Sequence, residues 1–328
     1  MAPRAAGRSF DTVYFGGGTP TLLPPTDLVR LLSAIRAHYA VCEDAEITLE
    51  CNPATVDEAT LRVLRSAGFN RLSIGAQSFD DGELAALGRV HDAHAIRDTV
   101  SCAKAAGFEN ISLDLMYGIP NQTPTTFARS LQSALSLEVQ HLSVYSLIVE
   151  EGTPFYEHRH TLPLPDEDTL CDMTAQLSAT LEKAGYARYE ISNYAKAGYA
   201  SRHNLHYWNL DDYLGFGVAA HSLWNGVRTG HSRDLAAYLA GKNIVETEER
   251  LSAATARDEY VMLRLRLCDG VNKTDFSARF GVSFDALYGE RAAPYVRAGL
   301  LITDGDRIAF TPKGFEVSNA VLSELLYL

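Results

Sequence analysis

Three consecutive glycines, Gly16, Gly17 and Gly18, follow a run of strand-forming residues near the start of the 328-residue chain, and Thr19 and Pro20 complete the turn. Glycine allows a backbone edge to approach a ligand closely, because it has no Cβ. The turn is not a G-x-G-x-x-G dinucleotide fingerprint, and it is not a phosphate-binding P-loop, since no lysine follows it. It therefore indicates either a ligand site or a tight turn between a strand and a helix.

Further polar residues stand at or near the ends of later strand-like runs. Glu50 ends ITLE, and a carboxylate there could take the ammonium group of an amino-acid-like ligand. Gln77 and Asp114 suit ribose hydroxyls, and Arg89 could bind a carboxylate through two hydrogen bonds. Singly, each residue could equally be a structural cap or a surface residue. Together they describe a site for a zwitterion attached to a nucleoside, which fits S-adenosylmethionine (SAM).

The positions of these residues at strand ends follow from the pattern of the chain, in which short β-branched runs alternate with amphipathic helical patterns. We predict strands at 12–15, 46–50, 71–74, 111–116 and 142–147, and helices at 27–40, 57–67, 93–106 and 125–137. Such alternation predicts a parallel sheet, and five units without an early dinucleotide fingerprint favour a barrel-like sheet over a doubly wound one. In a barrel, the carboxyl ends of the strands form the face that holds the site.

We predict three regions along the chain. A truncated barrel covers residues 1–150, and a capping or linker region with a helix at 166–185 covers 151–245. The C-terminal domain, 246–328, has predicted helices at 257–267, 273–279 and 285–298, then a hairpin with an Asp-Gly turn and a helix start at Thr311. This order is typical of a winged helix. Its basic and acidic residues nearly balance, so we expect it to pack or dock rather than bind DNA.

Composition and charge disfavour several classes of protein. The formal net charge of −12 disfavours nucleic acid as a partner, because phosphate-binding proteins usually carry a basic face. There is no long apolar stretch of the kind that spans a membrane, and the N-terminus lacks the apolar core of a signal peptide, so a cytoplasmic location is expected. The five widely spaced cysteines are expected to be reduced thiols: Cys42, Cys51, Cys102, Cys171 and Cys268.

Four segments carry a specific resemblance: VYFGGGTPTLL, ITLECNP, RLSIGAQSFDDGELAALGRVHDA and DLMYGIPNQT. They resemble the radical-SAM proteins of the oxygen-independent coproporphyrinogen III oxidase family, and most of all its heme-chaperone branch. The resemblance extends from Asp11 to the C-terminus and implies a partial (β/α)6 barrel followed by a helical or winged domain. By position, it implies that SAM is contacted by Gly16, Gly17, Gly18, Thr19, Glu50, Gln77, Arg89, Asp114 and the backbone near Ile148.

Residues 202–208, RHNLHYW, contain HNxxYW, which resembles a hallmark of the chaperone branch. Histidine is a natural axial ligand of heme iron, and tyrosine and tryptophan can stack on a porphyrin. We expect His203 to be the iron ligand, with His206 and His221 as alternatives. A different reading is that the segment covers the barrel mouth with its side chains hydrogen-bonded in place. The predicted heme region consists of His203, Asn204, Tyr207 and Trp208.

The chain departs from the family in one respect. The family holds a [4Fe–4S] cluster with CxxxCxxC in the loop after its first barrel strand, and no such motif is present here. Only MAPRAAGRSF precedes Asp11, so the strand before GGGTP corresponds to the second family strand. We therefore expect a barrel that lacks its first strand and the cluster ligands. Either the chain is a fragment of a longer protein, or it is a truncated paralogue.

Three functional hypotheses follow. The first is a heme chaperone without turnover, which passes heme to an apo-hemoprotein such as a membrane respiratory enzyme; a homodimer is left open. The second is an enzyme, an oxygen-independent coproporphyrinogen III oxidase or dehydrogenase. HNxxYW and the missing cluster motif favour the chaperone, since radical chemistry needs the cluster to reduce SAM. The third, a DNA-binding regulator, is disfavoured by the charge of the winged domain.

Overall fold

Five strands lie side by side and parallel in chain order, and helices connect them. The computed structural model describes residue 5 and residues 7–326. The strands are β1 (Ser9–Phe15), β2 (Ala40–Cys51), β3 (Arg71–Gln77), β4 (Asn110–Tyr117) and β5 (His141–Ser146). The connecting helices are α1 (Pro25–His38), α2 (Glu58–Ala67), α3 (Asp81–Ala86), α4 (Ala93–Ala105) and α5 (Pro124–Ser136). A 3-10 turn, Pro20–Leu22, follows the three glycines.

Two short strands complete this sheet. β7 (Asn193–Ala195) pairs antiparallel with β5, and β6 (Ala187–Arg188) pairs antiparallel with β7. The seven strands, in the order β1-β2-β3-β4-β5-β7-β6, form a curled half-barrel. The predicted α/β fold with a partial barrel is confirmed. Two further helices of this region are α6 (Pro154–Glu157) and α7 (Glu167–Lys183), the latter close to the predicted helix at 166–185.

The chain divides into two units. The first comprises the residues up to Arg188 and Ser192–His203, and the second comprises Tyr189–Ile191 and the residues from Asn204 onward. The division into three regions stays a prediction. A short helix, α8 (Arg202–Trp208), begins in the first unit and ends in the second.

The parallel strands have two different faces. One is apolar and belongs to the same buried cluster as the helices; it includes Leu49, Leu72 and Leu113. The other is polar, and several of its members are also buried: Glu46, Thr48, Arg71, Ser73, Ser112 and His141. Parallel strands that are covered on both faces are usually apolar throughout. A polar inner face therefore marks the region where this sheet can hold a polar ligand.

The second unit contains two antiparallel sheets. The first, with strands in the order β10-β9-β8, was not predicted; its elements are β8 (His221–Trp224), β9 (Val227–His231), α9 (Leu235–Leu239) and β10 (Val245–Arg250). The second, β11-β13-β12, belongs to the C-terminal region. That region consists of α10 (Ala253–Leu265), β11 (Val271–Asn272), α11 (Lys273–Phe280), a π-helical turn (Asp285–Gly289), α12 (Glu290–Arg297), β12 (Leu301–Asp304), β13 (Arg307–Phe310), α13 (Pro312–Glu316) and α14 (Ser318–Leu326).

Helices followed by a hairpin confirm the winged-helix-like arrangement. Aromatic side chains fill its core: the ring centroids of Phe276 and Phe284 are 5.7 Å apart, and those of Phe284 and Tyr288 are 5.2 Å apart. Thr311 caps α13, since its side chain accepts a hydrogen bond from the backbone of Gly314 at 3.0 Å. Within the described part of the chain, no helix has both the length and the apolar character needed to cross a membrane.

Candidate functional site

The glycine turn is held against Glu50 on the polar face. The hydroxyl of Tyr14, on β1, donates a hydrogen bond to Glu50 Oε1 at 2.8 Å. The backbone N–H of Gly17 donates to Glu50 Oε2 at 3.1 Å. Gly17 and Gly18 have φ angles of 83° and 90°, which side-chain-bearing residues rarely adopt. The turn therefore presents exposed backbone beside a carboxylate that can accept an ammonium group.

At Gly16 the requirement for glycine is steric, because there is no room for a side chain. A Cβ at this position would lie 2.6 Å from Tyr14 Cε1 and 2.8 Å from Glu50 Oε1. Both neighbouring side chains are already fixed by their mutual hydrogen bond. The absence of a side chain at Gly16 therefore lets the phenol and the carboxylate lie directly against the backbone.

A second carboxylate, Asp114 on β4, shares this face. The pKa of Asp114 is raised to about 7, chiefly by burial; the guanidinium of Arg71 opposes this rise, and the negative charge of Glu50 adds to it. Ser73 donates a hydrogen bond to Asp114 Oδ1 at 3.3 Å. Asp114 can therefore exchange a proton near neutral pH, and the two carboxylates lie close enough to influence each other.

Gln77 ends β3 in a strained conformation. Its φ of 66° is uncommon for a residue with a side chain, and such strain is often found at functional sites. Tyr145, on β5, donates a hydrogen bond to Gln77 Oε1 at 3.0 Å. The positive charge of Arg89, in the loop before α4, lowers the pKa of both Asp114 and Tyr145. The structure thus places Gln77 and Asp114 on the same face as Glu50, within the electrostatic influence of Arg89.

The remaining predicted SAM contacts lie at the edge of this group. Thr19 Oγ1 accepts a hydrogen bond from Asn52 Nδ2 at 2.8 Å, so its hydroxyl ties the glycine turn to the segment after β2. Ile148 follows β5 and is 72% exposed. A backbone contact from this position is compatible with its place after a strand end. The SAM-binding roles of all these residues stay predictions.

Three members of the polar face were not among the predicted site residues: Tyr14, Arg71 and Tyr145. The available signal was the period of two within each strand, because residues two apart share a face. Arg71 and Ser73 share a face on β3, and Tyr145 shares one with His141 on β5. Arg71 is 2% exposed, and its Nε makes no hydrogen bond with any described residue. Thr48 Oγ1, opposite Arg71 in the strand register, is also buried without a partner among the described residues.

His203 is fixed to the first two strands. Its Nδ1 lies 2.9 Å from Thr12 Oγ1, and its ring stacks on Tyr14 with a centroid distance of 4.8 Å and an interplanar angle of 21°. The backbone N–H groups of Arg202 and His203 each donate to the Glu46 carboxylate at 3.1 Å. His203 therefore has a fixed position and a defined partner for one ring nitrogen.

The other members of HNxxYW, Asn204, Tyr207 and Trp208, belong to the second unit. Tyr207 is 41% exposed and contacts Tyr213 edge-on, with ring centroids 4.8 Å apart. Among the alternative ligands, His206 Nδ1 lies 2.9 Å from Asp211 Oδ2. His221 is exposed at the start of β8. Of the three histidines, only His203 lies in the first unit.

The described residues do not fit an iron–sulfur cluster. Among them, no three Cys, His, Asp or Glu side chains are grouped so that they could hold a metal ion. Cys51 is buried, and burial raises the pKa of its thiol to about 11, which disfavours the thiolate that a metal needs. The cysteines that the structure describes are all free thiols.

Comparison with known proteins matches two family models to this chain. The radical SAM superfamily model covers residues 2–134, and the HemN C-terminal domain model covers residues 251–317. The fold is similar to that of coproporphyrinogen III oxidase (HemN) from Escherichia coli, a radical SAM enzyme, with a TM-score of 0.85 and 25% identity. That similarity covers 100% of this chain and 80% of the HemN chain.

Curated relatives are more similar in sequence. The heme chaperone HemW of Lactococcus lactis is 37% identical over 96% of this chain and 84% of its own length. The heme chaperone HemW of Bacillus subtilis is also 37% identical, over 96% of this chain and 85% of its own length. The radical SAM family implies SAM and a [4Fe–4S] cluster as cofactors. At this identity and coverage, the chain belongs to the HemW family of radical SAM proteins.

Proposed function

We propose that the protein binds heme through His203 and delivers it to an apo-hemoprotein, on a scaffold that also binds SAM. The observation that carries this proposal is the fixed imidazole of His203 within a family whose relatives are named heme chaperones. A metal-binding histidine usually has its second ring nitrogen held by a hydrogen bond, which sets the tautomer and the ring plane. Thr12 supplies such a contact at Nδ1 and so restrains the plane of the His203 ring.

The polar face fits the SAM part of the proposal. Glu50 offers a carboxylate for the ammonium group, and the exposed backbone of Gly17 and Gly18 offers hydrogen-bonding groups beside it. Thr48 Oγ1 and Arg71 Nε lie on the same face and are buried without a hydrogen-bond partner among the described residues, so they leave hydrogen-bonding capacity for a ligand. When bound together with a reduced cluster, SAM supplies radical chemistry. Because the described residues do not fit the cluster, we assign the polar face a binding role alone.

A second candidate, coproporphyrinogen III oxidation, is favoured by the structural similarity to HemN. In this alternative the same polar face would hold SAM for catalysis, and residues 202–208 would only cover the barrel. The two candidates differ in what they require of His203, because a covering segment needs its hydrogen bonds but not an iron-binding nitrogen.

Hemin titration followed by Soret absorbance tests the heme site. We expect a saturable, stoichiometric band with the full chain and its loss in His203→Ala. The matched control is His160→Ala, since His160 is exposed in a loop and should leave the band unchanged. A full chain without a specific band would contradict heme binding. An unchanged hemin affinity in His203→Ala would contradict the assigned ligand.

Delivery requires a separate measurement. The heme-loaded chain is mixed with the apo form of a membrane respiratory hemoprotein, and heme transfer is followed by the acceptor spectrum. Transfer faster than spontaneous release to apomyoglobin is the expected result, because a chaperone must form a complex with its recipient. Equal transfer rates to both acceptors would indicate that the protein binds heme but does not deliver it to a specific recipient. Conversion of coproporphyrinogen III by the purified chain would instead favour the enzyme.

A further inference from the structure

We propose that Tyr14 is a positioning residue that couples ligand binding at Glu50 to the orientation of the His203 imidazole. The inference rests on the proposed function, in which Glu50 takes the ammonium group of an amino-acid nucleoside and His203 takes heme iron. Tyr14 contacts both residues directly, and all three lie in the first unit. A ligand at one residue would then alter the other without any contact between the ligands.

The contact with Glu50 is made by the phenol hydroxyl. The hydroxyl of Tyr14 donates a hydrogen bond of 2.8 Å to the Glu50 carboxylate, whose oxygens can only accept when it is ionised. Glu50 Oε1 accepts this hydrogen bond, while Oε2 accepts one from Gly17. An ammonium group that binds Glu50 must therefore share an oxygen that already has a protein donor.

The contact with His203 is made by the ring of the same side chain. The two rings are stacked, and Thr12 holds the imidazole at Nδ1 from the same strand. A stacked ring restrains the plane of its neighbour, and that plane determines how an axial imidazole approaches iron. Any tilt of the phenol therefore changes the orientation of His203.

Close packing around Tyr14 leaves little room for its ring to move without affecting its neighbours. Because a Cβ at Gly16 would lie 2.6 Å from Tyr14 Cε1 and 2.9 Å from Glu50 Cδ, the backbone lies directly against both side chains. The Gly16 backbone restricts movement of the phenol on one side, and the stacked His203 ring is the neighbour that a change in the phenol position would affect. By thermodynamic linkage, heme at His203 would change the affinity at Glu50 by the same factor.

A double-mutant cycle tests the coupling without heme or nucleoside. The chain is labelled with 13C-histidine, and the ring signal of His203 is assigned by its loss in His203→Gln. Glu50→Gln is made in the natural chain and in Tyr14→Phe, which keeps the stacked ring but removes the hydroxyl. We expect Glu50→Gln to shift the His203 signal in the presence of Tyr14 and to shift it at most about a third as far in Tyr14→Phe.

Equal shifts in both backgrounds, or no shift in either, would overturn the proposal. Tyr238→Phe is the matched control, since Tyr238 is 44% exposed on α9, and it should preserve the full shift. The signals of the other nine of the ten histidines report in each sample whether the fold is intact. The double-mutant cycle is independent of the hemin titration. If the chain binds no hemin, the proposed function is wrong, but the cycle still tests the role of Tyr14.

A hemin measurement then extends the result to function. In the natural chain, we expect saturating S-adenosylhomocysteine to change the hemin dissociation constant several-fold and to shift the Soret maximum. Both effects should be absent in Tyr14→Phe and retained in Tyr238→Phe. A dissociation constant that responds equally in Tyr14→Phe would show that coupling, where present, does not pass through the phenol hydroxyl.

Discussion

The Glu46 carboxylate and the backbone N–H of His203 are joined by a hydrogen bond of 3.1 Å across 157 residues of chain. Glu46 also accepts the N–H of Arg202, so a buried carboxylate on β2 satisfies the first amides of α8. Negative charge near a helix N-terminus is favourable, because the free N–H groups there carry partial positive charge. A helix of seven residues is too short to be stable alone, so α8 depends on this tertiary cap.

Replacing Glu46 with alanine should weaken both the fold and the proposed heme site. The change leaves two partly buried N–H groups without this acceptor, which costs about 1–3 kcal/mol of unfolding free energy. We also expect a several-fold loss of hemin affinity, because His203 loses its fixed position. Urea unfolding and hemin titration measure the two effects. Glu43→Ala, an exposed change on the same strand, is the control, and equal losses in both variants would contradict the capping role.

Asp114 should make stability depend on pH. Its pKa is about 7 in the folded protein and about 4 in an unfolded chain, so between these values only the folded state holds the proton. The free energy of unfolding should therefore fall as pH rises from about 4 to about 7. In Asp114→Asn the side chain does not titrate, so this decrease in unfolding free energy should be absent.

Urea unfolding at pH 5 and pH 8 measures this effect. The stability of Asp114→Asn relative to the natural chain should increase by on the order of 2 kcal/mol between the two pH values. Asp172→Asn, an exposed change on α7, should show no such increase. A pH-independent difference for Asp114→Asn would contradict the raised pKa.

Gly16→Ala should disrupt the polar face, because the new methyl group would overlap with neighbouring side chains. The new Cβ would come within 3 Å of Tyr14 and Glu50, which are bonded to each other and can move only together. We expect a loss of about 1–3 kcal/mol in stability and weaker binding of S-adenosylhomocysteine. Gly289→Ala is the control, since its nearest neighbour, Asp285 Cβ, is 3.3 Å away. Calorimetric titration that found unchanged nucleoside affinity in Gly16→Ala would contradict this packing argument.

Tyr288 provides a test of the second unit. It is 1% exposed, and its hydroxyl donates a hydrogen bond of 2.5 Å to Asp258 Oδ1. Tyr288→Phe leaves the Asp258 carboxylate without this donor and should cost about 1–3 kcal/mol of unfolding free energy. A stability equal to that of Tyr238→Phe would show that the hydrogen bond contributes nothing.

Local patterns in the sequence predicted most elements of the first unit. Four predicted strands, 12–15, 71–74, 111–116 and 142–147, lie within or overlap β1, β3, β4 and β5, because alternation and flanking turn residues are local signals. The predicted strand at 46–50 is correct but short, since β2 begins at Ala40. Residues 40–44, AVCED, are exposed or half-buried and show no apolar alternation, so the pairing of Ala40 and Val41 with β1 makes this part of the chain a strand.

The antiparallel sheet of β8, β9 and β10 was missed for a similar reason. Its strands are short, and β10 is exposed along its whole length, so no apolar alternation marks it. The strands exist because they pair with one another, and pairing depends on neighbours that are distant in sequence. Helix α3 was missed because it has six residues, too few for a clear helical period.

The sequence by itself determined which residues are predicted to bear the chemistry: the glycine turn, Glu50, Gln77, Arg89, Asp114 and the HNxxYW segment. Only the tertiary structure decided that Tyr14 would join Glu50 to His203. Residue type and spacing are local properties, so a chemical role can be inferred from them. A contact between β1, the end of β2 and the start of α8 depends on strand order and register, which arise only when the whole sheet folds.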